Sequence, residues 1–232
     1  MGNESNTLTV ATPAGAMPAH LWVPDTGSGP GIVLVQEIFG ISPYVVRRAE
    51  ELRDLGYVVL APEFYWRIGA SGVANGPDML AEGMALAGRI DWPAAVEDGV
   101  AALGALRQRP EVAGPVGLLG YCFGGGLAFN IAAESDPACL VSYYGSALPS
   151  LLDLAPQVTC PSLHHFGSAD SYLDQAAVEA IRDAVVREDV EFYTYPGADH
   201  AFDNEDFPTH HAEASAIARQ LTHNFLAKHL GP

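Results

Sequence analysis

Val116-Gly117-Leu118-Leu119-Gly120-Tyr121-Cys122-Phe123-Gly124-Gly125 reads as an apolar strand running without a spacer into a glycine-flanked turn and an apolar helix. This is the pattern of a nucleophile elbow, G-x-nucleophile-x-G, with sulfur in place of the usual serine oxygen. A side chain presented on so sharp a turn needs neighbours two residues away that lack bulk. Gly120 and Gly124 meet that need, and Gly125 lets the following helix approach the sheet closely. The turn sets Cys122 near a helix N-terminus, where the dipole favours thiolate. It also aims the backbone N–H of Phe123 at a developing oxyanion. Taken alone, the motif leaves open a buried structural cysteine beside a glycine-rich turn. It lacks the G-x-G-x-x-G spacing of a dinucleotide site.

Outward from the elbow, strand-like and helix-like segments alternate along the chain. Strands are expected at Thr7–Val10, Pro18–Val23, Gly31–Gln36, Tyr57–Ala61, Val116–Gly120, Ala138–Tyr144, Pro161–Phe166 and Val190–Tyr195. Helices are expected from Pro43 to Leu55 and at about 77–88, 92–108, 124–134, 174–187 and 209–229, with Asp91 as a candidate N-cap. Such alternation implies a mainly parallel sheet covered by helices on both faces, with its ligand site at the carboxyl ends of the strands. The irregular stretch from Glu63 to Asn75, aromatic at Phe64, Tyr65 and Trp66, reads either as a pocket wall or as a packed surface loop. With no repeat or linker, residues 1–232 are expected to form one domain.

Composition narrows the class of function. Of the 232 residues, 49% are hydrophobic, enough for a sizeable core, yet no run of about 18 apolar residues suggests a membrane span. The formal charge is −17, from 28 acids against 11 bases, and such a surface repels nucleic-acid backbones. The polar start Met1-Gly2-Asn3-Glu4-Ser5-Asn6 has no signal-peptide pattern, so a cytoplasmic location is expected and the sequon Asn3-Glu4-Ser5 reads as chance. Cys122, Cys139 and Cys160 form neither a disulfide framework nor a C-x-x-C metal or redox pair.

A nucleophile at an elbow needs an orienting acid and then a histidine later in the chain. Asp170 follows the strand Pro161–Phe166 through Gly167-Ser168-Ala169. His200 follows Val190–Tyr195 through Pro196-Gly197-Ala198-Asp199. Cys122, Asp170 and His200 thus stand in the required order, each just beyond a strand. Asp199 adjoins the histidine and is better placed to fix the loop than to reach the far ring nitrogen. His164 and His165 point to opposite faces of one strand. His210, His211, His223 and His229 lie at the start and along the exposed side of the last helix, and no metal site is expected.

Three motifs together resemble the dienelactone hydrolase family over most of the chain: Gln36-Glu37-Ile38-Phe39-Gly40, the elbow itself, and Tyr195-Pro196-Gly197-Ala198-Asp199-His200-Ala201-Phe202. The resemblance implies an α/β-hydrolase fold with about eight strands and a triad of Cys122, His200 and Asp170. It also implies a glutamate, Glu37, that contacts the resting cysteine and helps generate thiolate when substrate binds. The N–H groups of Ile38 and Phe123 would be the oxyanion donors. The family's dienelactone-cleaving members hold the substrate carboxylate with two arginines. By alignment those positions are Leu80 and Asn204 here, with Arg67 and Arg89 nearby but out of register, and Asp203 beside the second. The expected activity is therefore hydrolysis of a small-molecule lactone or small carboxylic ester through a thioester, without metal or organic cofactor. The alternatives are a thioesterase or general carboxylesterase on neutral substrates, and a catalytically silent ligand-binding relative.

Overall fold

A computed structural model describes residues 5–74 and 76–231. The polar start through Glu4, including the sequon asparagine Asn3, lies outside the described residues, as do Asn75 and Pro232. The eight strands are β1 (Asn6–Thr12), β2 (Gly15–Trp22), β3 (Gly29–Val35), β4 (Val58–Pro62), β5 (Val112–Tyr121), β6 (Leu140–Tyr143), β7 (Ser162–Gly167) and β8 (Val190–Tyr195). They form one sheet in the order β1-β2-β4-β3-β5-β6-β7-β8. Both pairings of β2, with β1 and with β4, are antiparallel, and all the others are parallel. Every residue of β3 and β7 is buried, as expected for strands covered on both faces, whereas the edge strand β1 is largely exposed.

The helices are α1 (Pro43–Asp54), α2 (Met79–Ala87), α3 (Trp92–Arg107), α4 (Phe123–Ala133), α5 (Gln175–Val185) and α6 (Ala212–His229). They flank the sheet on both faces, giving the α/β-hydrolase arrangement. Local chemistry fixes their starts. Ser42, Asp91 and Asp174 each accept the N–H three residues on, and Pro43 occupies the first turn of α1. No helix among the described residues is long and apolar enough to cross a membrane.

Several boundaries differ from the sequence expectation for physical reasons. The last helix begins at Ala212 rather than near residue 209, because the His211 ring caps it by accepting the Ala214 N–H. The sixth strand stops at Tyr143, since Tyr144 turns into the left-handed region at φ 36°. The aromatic stretch after β4 is the packed loop of the two readings. Phe64 and Tyr65 are buried, and the Trp66 indole and Arg67 guanidinium both donate to buried Asp98.

Candidate active site

β5 delivers Cys122 at φ 54° and ψ −116°, a conformation costly for a residue with a Cβ and held only by its surroundings. The flanking glycines show how tightly. A Cβ on Gly120 would lie 2.1 Å from the Gly124 carbonyl oxygen, and one on Gly124 would lie 2.3 Å from that of Gln36 and 2.4 Å from that of Val35. A Cβ on Gly125 would come within 2.8 Å of the Tyr143 carbonyl oxygen on β6, so α4 does lie directly on the sheet. The Cys122 N–H donates to the Tyr143 carbonyl at 3.0 Å and locks the turn to the neighbouring strand.

The loops after β7 and β8 bring Asp170 and His200 to this turn. His200 Nε2 is 3.0 Å from Cys122 Sγ, and its Nδ1 is 2.8 Å from Asp170 Oδ2. The other Asp170 oxygen accepts the N–H groups of Tyr172 and Leu173, each at 2.9 Å, which fixes the carboxylate plane. Asp199 joins the two loops instead of competing for the ring. Its Oδ1 accepts from the Ser171 N–H at 2.7 Å and the His200 N–H at 2.6 Å. The Ala169 N–H donates to the Ala198 carbonyl, and the Thr209 hydroxyl donates to the His200 carbonyl. Rings of Tyr144 and Tyr172 lie 5.1 and 4.9 Å from the imidazole, centroid to centroid. Burial alone would lower the His200 pKa, but the Cys122 sulfur and the Asp170 carboxylate outweigh it and push it up to about 10.

Glu37 follows β3 and is fully enclosed. Its Oε2 accepts from Asn204 Nδ2 at 2.8 Å, while its Oε1 has no hydrogen-bond partner. Burial pushes its pKa up to about 8, against the opposing pull of His200 and the Asn204 amide. The sulfur therefore rests on His200, not on Glu37 as the resemblance implied, and among the described residues no salt bridge to this carboxylate is seen. The loop carrying it is pinned by the Tyr65 hydroxyl, which donates to the Ile38 carbonyl at 2.7 Å, and by Gln36 Oε1, which accepts the Phe64 N–H.

A pocket opens over the sulfur, lined by Cys122, His200, Glu37 and Ser146 together with apolar or aromatic residues from four segments: the loop after β3, α2, the turn after Asp170 and the loop after His200. Leu80 stands on its wall. Asn204 does not: it is buried behind Glu37, and it holds that side chain rather than facing the pocket. Asp203 is buried as well, accepting the hydroxyls of Tyr44 and Ser215 at 2.6 Å each. Arg67 is committed to Asp98, and Arg89 to the Ile68 carbonyl. The sequence reading missed Met84, Ser146, Tyr172 and Phe207 on the lining. Only Tyr172, two residues past Asp170, carried a positional signal.

Several of the remaining histidines serve the framework. His164 and His165 are buried on opposite faces of β7. Burial drives both down to about 3, so they are neutral, with hydroxyl partners on Ser162, Tyr195 and Thr222. His223 is half-buried rather than exposed and meets Glu51 at 3.2 Å. Among the described residues no cluster of three or more His, Cys, Asp or Glu side chains could hold a metal ion.

Residues 17–230 match the model of the Dienelactone hydrolase family. Carboxymethylenebutenolidase 1 of Cupriavidus pinatubonensis is 33% identical over 216 residues, covering 92% of each chain. The carboxymethylenebutenolidase of a Pseudomonas species is 33% identical over 218 residues, covering 92% of this chain and 91% of the relative. A crystal structure of a putative dienelactone hydrolase from Klebsiella pneumoniae superposes with a TM-score of 0.83 at 25% identity, covering 97% of this chain and 98% of the other. Sequence match, fold and site geometry agree: the chain belongs to the dienelactone hydrolase family.

Proposed function

We propose that the protein hydrolyses a lactone or small carboxylic ester, with Cys122 as nucleophile, His200 as base and acid, and Asp170 as the orienting carboxylate. The observation that carries this reading is the position of His200, bonded at one nitrogen to Cys122 Sγ and at the other to Asp170. The Cys122 sulfur and the Asp170 carboxylate raise the His200 pKa against burial, which suits the ring to take the Cys122 proton and hold it as the sulfur attacks. The name of the curated relatives, carboxymethylenebutenolidase, supports a lactone among the substrates.

In this reading the thiolate attacks the carbonyl carbon, and the resulting oxyanion rests on the N–H groups of Phe123 and Ile38. Phe123 is the first residue of α4, where helix geometry leaves the amide without an intrahelical acceptor. Losing one such donor costs about 3 kcal/mol in the barrier. As the C–O bond breaks, the imidazolium gives its proton to the leaving oxygen. His200 then takes a proton from water, which attacks the thioester and frees the acid and the thiolate. Glu37 lines the same pocket with an oxygen that lacks a partner, so in this reading it acts on the Cys122–His200 pair through its charge rather than by holding the resting sulfur. Strands β3, β5, β7 and β8 all contribute, so the reading treats residues 1–232 as one catalytic domain.

The test is an activated aryl ester, such as p-nitrophenyl acetate, given to the parent and to Cys122→Ala. A burst followed by turnover, lost in the variant and accompanied by an acyl adduct on Cys122 in the intact mass, is the expected result. Equal turnover by the two proteins would overturn the assignment.

A further inference from the structure

Apart from Cys122, His200, Glu37 and Ser146, every residue lining the pocket is apolar or aromatic, and its space, mouth included, is about 550 Å³. Its outer wall is α2, whose Leu80 and Met84 lie one turn apart on the same side of the helix. Between them, Gly83 is the only buried residue of α2. A Cβ there would sit 3.0 Å from the Phe39 ring and 3.1 Å from the Ile38 side chain. The missing side chain lets α2 lie on the loop that follows β3, which brings Leu80 and Met84 to the pocket.

The apolar wall does not stop at the pocket's edge. Met84 and Tyr172 are each 53% exposed at its mouth, and folding gains little from large hydrophobic groups left in water. No lysine or arginine lines the pocket. The nearby bases are spent elsewhere: Arg47 and Arg48 on Glu205, Asp206 and Asp203, Arg67 on Asp98, and Arg89 on a backbone carbonyl. A carboxylate on the substrate would meet a mostly apolar wall, and the one cationic group there, the His200 ring, already has Cys122 and Asp170 as partners.

We infer that the substrate is an uncharged ester bearing an apolar chain or ring that runs from Cys122 past Leu80 to a rim formed by Met84 and Tyr172. Leu80 and Met84 are then specificity-determining residues. This deepens the hydrolase reading and rests on it.

The test is a series of p-nitrophenyl esters from acetate to octanoate, with p-nitrophenyl hydrogen adipate as the charged counterpart of the hexanoate. The kcat/KM is expected to rise about fourfold per methylene until the chain reaches the rim, and the adipate to be poorer than the hexanoate on the order of 100-fold. Met84→Gln should lower the octanoate-to-acetate ratio, and Leu80→Arg should raise the adipate-to-hexanoate ratio. Calorimetry with 2-octanone and 7-oxooctanoate reads the same preference without turnover, the ketone binding at least about tenfold more tightly. A flat chain-length series, a preference for adipate, or tighter binding of the keto acid would each overturn the inference. Tight ketone binding with no ester turned over would support the apolar pocket and overturn the hydrolase reading instead.

Discussion

Glu37→Gln isolates the cost of a buried carboxyl in the pocket beside Cys122. The Glu37 side chain is enclosed, has one donor in the Asn204 amide, and faces Asp203 and Asp206 as like charges, with His200 as the opposing one. Below pH 4.5 the folded and unfolded chains both carry its proton. Between 4.5 and about 8 the folded chain keeps the proton and the unfolded chain releases it. Stability supplied by this group is therefore complete in acid and is lost as pH rises toward 8. At about 1.4 kcal/mol per pH unit the full span sets a ceiling of about 5 kcal/mol. Relaxation around the ionised group reduces the realised loss to roughly 2–4 kcal/mol. Glutamine keeps the shape and the acceptor for Asn204 but does not titrate. Urea unfolding of the two proteins at pH 5 and pH 9 should show similar stabilities at the lower pH. At the higher pH the variant should be more stable by roughly 2–4 kcal/mol. A difference between the proteins that is the same at both pH values, within about 0.5 kcal/mol, would refute the reasoning. It would mean that Asn204 and His200 suffice to keep Glu37 ionised.

Three further substitutions probe the site's construction. Asp170→Asn keeps the shape but removes the charge that orients His200, so kcat should fall about 10³–10⁴-fold, and the His200 pKa followed by NMR should drop from about 10. Gly124→Ala puts a Cβ 2.3 Å from the Gln36 oxygen. It should destabilise by about 1–3 kcal/mol in thermal unfolding and slow acylation about 100-fold by displacing the Phe123 amide. Asn204→Leu leaves Glu37 without its donor, at a cost of about 1–3 kcal/mol in urea unfolding near pH 9. The loss should shrink at pH 5, where the acid is neutral.

Cys122, Asp170 and His200 were legible because their placement is encoded locally. Gly120 and Gly124 are demanded by contacts of 2.1 to 2.4 Å within the elbow and to the adjacent strand end, and that demand shows in the sequence as a short pattern. Asp170 and His200 sit just past strands whose apolar character is plain, so their delivery to one sheet edge follows from the parallel topology. Asn204 was misplaced because its partner Glu37 stands 167 residues earlier, and no local pattern records that pairing. The aromatic stretch at Phe64–Trp66 looked equally suited to a pocket wall. Its fate was set by single bonds to Ile38 and Asp98, 27 and 32 residues away.

The same contrast explains why reaction type is easier to read than substrate. Acyl transfer needs a few groups at fixed separations, and the backbone geometry that supplies them restricts residue choice within the elbow. A pocket wall needs only apolar volume, which the loop after β3, α2, the loop after His200 and the turn after Asp170 all supply here, and many sequences supply it equally well. Gly83 is where the two regimes meet. It carries no catalytic group, yet the seat of α2 against Phe39 and Ile38, and with it the positions of Leu80 and Met84, depends on its missing side chain. A larger residue at 83 would have to shift either the Phe39 and Ile38 side chains or α2 itself, next to the loop that bears the Ile38 amide. Under the proposed mechanism, substrate range and oxyanion geometry would then change together, because the apolar wall and the loop after β3 pack directly on one another.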